Sequence, residues 1–115
     1  MTNTSDLANK DCVACAGGVD ALGTEAVKEM MAQLHEDWAL SADGTEISRR
    51  FKFKAFAKAV YTANLAAWLS DQTGHHSDTA FGWGYCTVTY TTHESGGLSD
   101  NDFICAAKLD RAVSP

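Results

Sequence analysis

The residues best suited to chemistry lie in a histidine-rich segment in the second half of the chain. His75 and His76 are adjacent, and His93 follows within the same stretch. Imidazole is the side chain that donates and accepts protons near neutral pH. Neighbouring residues of a strand point to opposite sides, so an adjacent pair after Gly74 predicts a loop that presents both rings at an opening in the surface. The segment therefore indicates general acid and base catalysis.

Two other interpretations of the histidines are open. A single histidine is more often a hydrogen-bonded polar residue than a catalyst, and only the grouping favours function. The three rings could also be the ligands of a metal-dependent hydrolase. No additional carboxylate or cysteine has a recognisable ligand spacing, so the pattern favours proton transfer and predicts no metal site.

Amphipathic segments on both sides of the histidines predict the helices that position them. Apolar residues recur at helical spacing from Thr24 towards Trp38, from about Lys54 to Asp71, and from Ser99 to Val113. Gly74 is placed to stop the second helix. Ser99-x-x-Asp102 is typical of a capping pair, and it predicts the start of the third.

Alternating and turn-forming segments predict two pairs of strands between these helices. Asp43-Gly44 indicates a hairpin turn before a strand at 47–53, and two more β-segments are expected at 79–83 and 84–92. The order helix, two strands, helix, two strands, helix predicts an α+β fold. We expect a two-layer structure, a four-stranded antiparallel sheet with helices packed on one face. The other face or an edge is expected to meet a second subunit.

Length and charge limit the class of protein. The 115 residues predict a lead-in at 1–20, ended by Gly17-Gly18, and a single domain at 21–115. A net charge of −6 argues against a nucleic-acid partner. Five basic residues cluster nonetheless, and we expect a solvated face rather than a phosphate site: Arg49, Arg50, Lys52, Lys54 and Lys58. No apolar run predicts a membrane span or a signal peptide, so a cytoplasmic protein is expected.

The four cysteines give a weaker signal. Cys12 and Cys15 form one C-x-x-C pair, without the second pair of a zinc ribbon or the βαβ pattern of a thioredoxin-type site. A structural or incidental role is favoured over metal or redox use. Cys86 is expected in the core, because unpaired cysteine is among the most buried residue types.

The spacing of the polar residues carries a family resemblance. Asp71, the sequence His75-His76-Ser77, Trp83, His93 and Asp102 follow one another at intervals that resemble the pterin-4a-carbinolamine dehydratases. Further similar stretches are Cys12-x-x-Cys15-x-Gly17-Gly18, Arg50-Phe51-Lys52-Phe53-Lys54-Ala55-Phe56, Phe81-Gly82-Trp83-Gly84-Tyr85, Thr92-His93-Glu94 and Gly96-Gly97-Leu98-Ser99. The resemblance covers about residues 11–113 and is of the bacterial type.

The resemblance implies an enzyme, a hydro-lyase of tetrahydrobiopterin recycling. Its substrate would be 4a-hydroxytetrahydrobiopterin, the 4a-carbinolamine, and its products quinonoid dihydrobiopterin and water. General acid and base steps suffice, so no cofactor is implied. The resemblance also implies a homodimer or a homotetramer. The alternative is a catalytically silent partner-binding, assembly or co-activator protein on the same fold, and the intact histidine set argues against it.

The resemblance also implies site residues. His75 and His93 would transfer protons, and His76 would hold the pterin and share that work. The substrate-binding set would be Asp71, Gly74, His75, His76, Thr91, Thr92, His93 and Glu94.

Three nearby residues have competing roles. Asp71, one helical turn before the pair, is expected to orient His75 and raise its proton affinity, or else to be a surface carboxylate. Trp83 is a pocket residue or, more commonly, a core or interface residue. Asp102 is expected to act mainly on the helix dipole.

Overall fold

The protein contains an antiparallel sheet of four strands. The computed structural model describes residues 7–12 and 21–114. The strands are β1 (Ala39–Leu40), β2 (Ile47–Lys52), β3 (Asp78–Gly82) and β4 (Tyr85–Tyr90), in the spatial order β1-β2-β4-β3. The helices are α1 (Thr24–Met31), α2 (Ala57–Thr73) and α3 (Asp100–Val113). Helices α2 and α3 pack against each other and against β4. The predicted α+β fold with a four-stranded antiparallel sheet is confirmed.

The central strand β4 lies on the face of the sheet against which α2 and α3 pack. In β4, Cys86, Val88 and Tyr90 are buried while the residues between them are partly exposed, as the period of two in a strand requires. Opposite them in β2 stand Phe51, Arg49 and Ile47. Cys86 lies in the core as expected.

Arg49 departs from the expected solvated basic face. Strand alternation turns it inward, and only 8% of the residue is exposed. Its Nη1 donates to Asp110 Oδ1 at 2.6 Å, and its guanidinium lies over the Phe51 ring at 4.3 Å. The prediction of solvation is therefore wrong at this one position, whereas Arg50 points to the opposite face and covers the Tyr85 ring.

The ends of the helices follow local signals closely. Gly74 has φ 74° and ends α2, a left-handed conformation that glycine adopts without steric cost. The α3 helix begins after Ser99 with the predicted capping pair. The α1 helix ends at Met31, earlier than the apolar spacing suggested. Leu34 and Trp38 are nevertheless buried beyond its end, which is why they extend the apolar pattern.

Residues 7–12, within the predicted lead-in, pack against α3. Leu7 and Ala8 belong to the hydrophobic core. Lys108 Nζ donates to the Ala8 carbonyl at 2.6 Å, and Arg111 Nη1 donates to Asn9 Oδ1 at 2.7 Å. Gly17-Gly18, the predicted end of the lead-in, lies outside the described residues, so the boundary at residue 20 stays a prediction. None of the helices in the described ranges is long and apolar enough to cross a membrane.

Candidate active site

A buried histidine–carboxylate pair is the centre of the candidate site. His75 follows Gly74 at the end of α2, and Asp102 lies in the first turn of α3. His75 Nε2 donates to Asp102 Oδ1 at 2.6 Å. The His75 residue is 8% exposed and Asp102 is fully buried. The ring of His75 also lies nearly parallel to that of Tyr90, with 6.1 Å between centroids.

The second oxygen of Asp102 is held by two donors. Thr92 Oγ1 donates to Oδ2 at 2.7 Å, and the Ser99 backbone N–H donates to the same oxygen at 2.9 Å. Thr92 and Ser99 share a further hydrogen bond between their hydroxyls at 2.8 Å. A buried charge is tolerated only when it is paired and hydrogen-bonded, and Asp102 meets both conditions. Its carboxylate is therefore fixed in place at the Nε2 edge of the imidazole.

This environment favours the protonated form of His75. The hydrogen bond to Asp102 raises the pKa of His75 above its ordinary value, burial opposes that effect, and the negative charge of Asp102 adds to it. Cys12 and Glu94 make smaller contributions that also raise the pKa. His75 is thus suited to hold a proton at pH values at which free histidine loses it.

The two adjacent histidines lie in different surroundings. The side chain of His76 is 67% exposed, and its Nε2 lies 3.3 Å from Asp71 Oδ1, a carboxylate that is itself 81% exposed. Asp71 therefore contacts His76, and the prediction that it orients His75 is wrong. Residues four apart meet on one face only along a continuous helix, and the left-handed turn at Gly74 separates His75 from α2. Asp102, expected mainly to act on the helix dipole, is the true partner of His75.

His93 stands on a short 3-10 turn, His93–Ser95, that follows β4. Its side chain is exposed and lines a cavity of about 240 Å³ with Thr45, Glu46, Thr91, Thr92, Gly96 and Gly97. Thr91 Oγ1 donates to the Thr45 carbonyl at 2.6 Å. Thr92 connects this cavity to the buried pair, because its hydroxyl binds Asp102. Glu94 is exposed beside His93.

Two alternatives from the sequence can be compared with this geometry. Trp83 is 69% exposed, so a core role is wrong for it. Within residues 7–12 and 21–114 no three histidine, cysteine, aspartate or glutamate side chains are grouped as metal ligands. His75, His76 and His93 are therefore not arranged as the ligand set of the hydrolase alternative.

The raised pKa makes the stability contribution of His75 depend on pH. A group whose pKa is higher in the folded state stabilises the fold fully below its unfolded pKa, about 6.5 for histidine. That stabilisation is lost as pH rises through the folded pKa. We expect the loss of unfolding free energy in His75→Gln to be larger at about pH 5.5 than at about pH 9.

Urea unfolding of both proteins at the two pH values measures this difference. Both should carry Cys12→Ser, because the Cys12 thiol interacts electrostatically with His75 and would titrate in the same experiment. A destabilisation that stays constant or grows towards high pH would contradict the assigned His75–Asp102 pair.

Comparison with known proteins relates this geometry to a family. The sequence model described as pterin 4 alpha carbinolamine dehydratase matches residues 20–112. A relative from Nitrosomonas eutropha is 46% identical over 96% of both chains, and one from Legionella pneumophila is 42% identical over 96% of this chain and 97% of its own. Both are named as candidate pterin-4-alpha-carbinolamine dehydratases.

Solved structures show the same fold. A Brucella melitensis protein described as a transcriptional coactivator/pterin dehydratase matches with a TM-score of 0.75 and 26% identity, over 84% of this chain and 100% of that one. A pterin dehydratase-like protein described as a RuBisCO assembly factor in the alpha-carboxysome matches with a TM-score of 0.59 and 25% identity, over 70% and 93%. On the family match and the closely similar bacterial relatives together, the chain belongs to the pterin-4a-carbinolamine dehydratase family.

Proposed function

We propose that the chain dehydrates 4a-hydroxytetrahydrobiopterin, or a related 4a-hydroxytetrahydropterin, to the quinonoid dihydropterin and water. Such a reaction would serve tetrahydrobiopterin recycling. The observation that carries the proposal is the buried His75–Asp102 pair, 2.6 Å apart, in a chain of this family. The pair supplies a proton-holding imidazole at a defined position, which is what an acid-catalysed loss of water requires.

The chemistry requires one proton donor and one proton acceptor. The bond from carbon 4a to its hydroxyl oxygen breaks, and the lone pair of the adjacent ring nitrogen forms the new carbon–nitrogen double bond. An acid protonates the departing oxygen so that it leaves as water. A base removes the proton from the ring nitrogen that forms the new double bond. The loss of water involves no net oxidation or reduction, so it requires no electron acceptor. Proton transfer by imidazole groups is sufficient. General acid and base steps of this kind contribute about 10²–10⁴-fold each.

In this proposal His75 is the acid. Asp102 holds Nε2 and raises the pKa of His75, which leaves Nδ1 as the ring nitrogen that exchanges a proton with the substrate. His93, exposed beside the cavity of about 240 Å³, is the acceptor. Its location on the 3-10 turn places it next to Thr92, the residue that steadies Asp102.

The remaining predicted site residues would bind the pterin. His76 is exposed and held near the Asp71 carboxylate, so it can contact a ring without being buried by the fold itself. Gly74 turns the chain between the two histidines. Thr91, Thr92 and Glu94 offer hydroxyl, backbone and carboxylate groups around His93 that can pair with the amide edge of the pterin.

A rate comparison tests the proposal. Purified protein is added to a freshly generated 4a-hydroxytetrahydropterin, and the ultraviolet absorbance is followed against the spontaneous reaction. Because the spontaneous dehydration is appreciable, the ratio of the two rates is the measurement. We expect a ratio well above one that survives a metal chelator. Loss of activity with chelator and its rescue by zinc would favour the hydrolase alternative instead.

A second candidate function has support from the comparisons. One solved relative is described as a transcriptional coactivator/pterin dehydratase and the other as a RuBisCO assembly factor. A partner-binding role on the same fold would leave the rate ratio near one for several pterins while the protein remains folded. That result would replace the enzyme proposal.

The proposal includes a homodimer or a homotetramer. Strand β3 is at the edge of the sheet, its residues Asp78–Phe81 are exposed, and Phe81 and Trp83 present large apolar side chains there. Open edges of this kind are usually covered by another chain or element. Sedimentation at several concentrations would measure the assembly. The cytoplasmic location and the absence of a nucleic-acid partner stay predictions from the sequence.

A further inference from the structure

Two cysteines that are distant in the sequence meet beside the candidate site. Cys12, in the segment packed on α3, and Cys105, in the middle of that helix, have their sulfur atoms 3.4 Å apart. Cys105 lies one helical turn after Asp102, the partner of His75. None of the proton-transfer steps proposed above uses either thiol, so this contact has no role in the proposed reaction.

The two thiols differ in exposure. Cys105 is 2% exposed, and its sulfur also lies 3.5 Å from Thr73 Oγ1. Cys12 is partly exposed and lines a cavity of about 530 Å³ among the described residues, together with Trp68, Gln72, Lys108 and Arg111. A small oxidant can therefore reach Cys12 from solvent, while Cys105 is shielded from solvent by its burial.

They also differ in acidity. The hydrogen bond from Cys105 lowers the pKa of Cys12, burial opposes this, and His75 and Lys108 lower it further. The same contact, together with burial, raises the pKa of Cys105. Because the thiolate is the reactive form of cysteine, Cys12 is the thiol that reacts first. Cys105 then has the position of the second, resolving thiol.

We propose that Cys12 and Cys105 are a peroxide-oxidised thiol pair that closes an intramolecular disulfide. The Cys12 thiolate attacks one oxygen of hydrogen peroxide, the O–O bond breaks, and protonation of the released hydroxide gives water and Cys12 sulfenic acid. The Cys105 sulfur then attacks the Cys12 sulfur, loses its proton, and displaces the hydroxyl as a second water. Two thiols lose two electrons and two protons, and one peroxide becomes two waters.

The geometry requires only a local adjustment. The sulfur atoms must approach from 3.4 Å to the disulfide bond length of about 2.05 Å. The bond would tie residue 12 to the middle of α3 and close a loop that includes most of the chain. Long closed loops restrict the unfolded chain strongly, so the oxidised protein is expected to unfold at a higher urea concentration than the reduced one.

Mass spectrometry after peroxide treatment tests the pair without any turnover assay. Fully reduced protein is treated with hydrogen peroxide, and the remaining thiols are then alkylated. We expect loss of two hydrogen atoms in mass and of two alkylation sites. Non-reducing tryptic digestion should join the peptide spanning residues 11–28, which contains Cys12, to the peptide spanning 59–108, which contains Cys105.

Matched serine variants identify the partners. Cys105→Ser should abolish the link between the two peptides, with Cys105→Ala as a second variant if the first does not fold. Cys86→Ser and Cys15→Ser should both retain the link, and Cys86 is the needed control because it shares the 59–108 peptide. A disulfide between Cys12 and Cys15 within one peptide, or oxidation that stops at single-cysteine sulfinic acid, would overturn the proposal.

Discussion

Alanine at His75 or at His93 is expected to slow dehydration of a 4a-hydroxytetrahydropterin by at least about tenfold. Each change removes one imidazole from the proposed proton transfers. His93 is exposed, so its removal should leave the fold intact. His75 is buried against Asp102, so its removal also leaves a buried carboxylate with fewer partners and should lower stability as well. The rate ratio over the spontaneous reaction, with urea unfolding of each variant, measures both effects.

Two further variants separate catalysis from folding. His35→Ala is the matched control, because His35 is exposed and its backbone N–H, which donates to Asp110, is retained in the variant. Asp102→Asn keeps the shape of the side chain but removes the charge that favours protonated His75, so it should reduce the rate and move its pH profile to lower pH. Wild-type rates in both His75→Ala and His93→Ala would rule out the proposed mechanism.

The largest loss of stability is expected from Asp110→Ala, at about 3–5 kcal/mol of unfolding free energy. The Asp110 carboxylate accepts from Arg49 Nη1 at 2.6 Å, Trp38 Nε1 at 2.8 Å and the His35 backbone N–H at 3.0 Å. Arg49 and Trp38 are both buried, so the variant leaves an uncompensated charge and an unsatisfied indole N–H inside the protein. Urea unfolding followed by circular dichroism gives the difference.

Asp37→Ala is the comparison for that measurement. The Asp37 side chain is 58% exposed and lies 3.8 Å from the exposed His35 ring, a contact of the kind that contributes little to stability. Asp110→Asn, which keeps one acceptor oxygen, should fall between the two. If Asp110→Ala is no more destabilised than Asp37→Ala, the buried ion pair does not stabilise the fold as the geometry indicates.

Local sequence signals predicted the elements well. Asp43-Gly44, Gly74 and the pair Ser99 and Asp102 each act through the backbone within a few residues, and each stands where a turn, a helix end or a helix start was expected. Alternation in β4 likewise identified its buried face. These features depend on short-range geometry, which the order of residue types determines.

The contacts that define the candidate site are harder to predict from the sequence. The His75–Asp102 pair joins residues that are 27 positions apart, and the Cys12–Cys105 contact spans 93. The first depends on how α3 lies against the end of α2, and the second on how the N-terminal segment lies against α3. The burial of Arg49 could have been suspected, because it alternates with Ile47 and Phe51 along β2. The Asp110 that pairs with it has no comparable sequence signal.

Asp102 gives the candidate site a link to the local unfolding of α3. Asp102 Oδ2 accepts hydrogen bonds from the Thr92 hydroxyl and from the Ser99 backbone N–H at the start of the helix. Asp102 Oδ1 accepts the hydrogen bond from His75. Fraying of the first helical turn would release the carboxylate and the imidazole together. The exchange rate of the Ser99 amide hydrogen with solvent deuterium would therefore report how often His75 loses its partner. In this fold the order of one helix terminus and the protonation of one histidine are coupled equilibria.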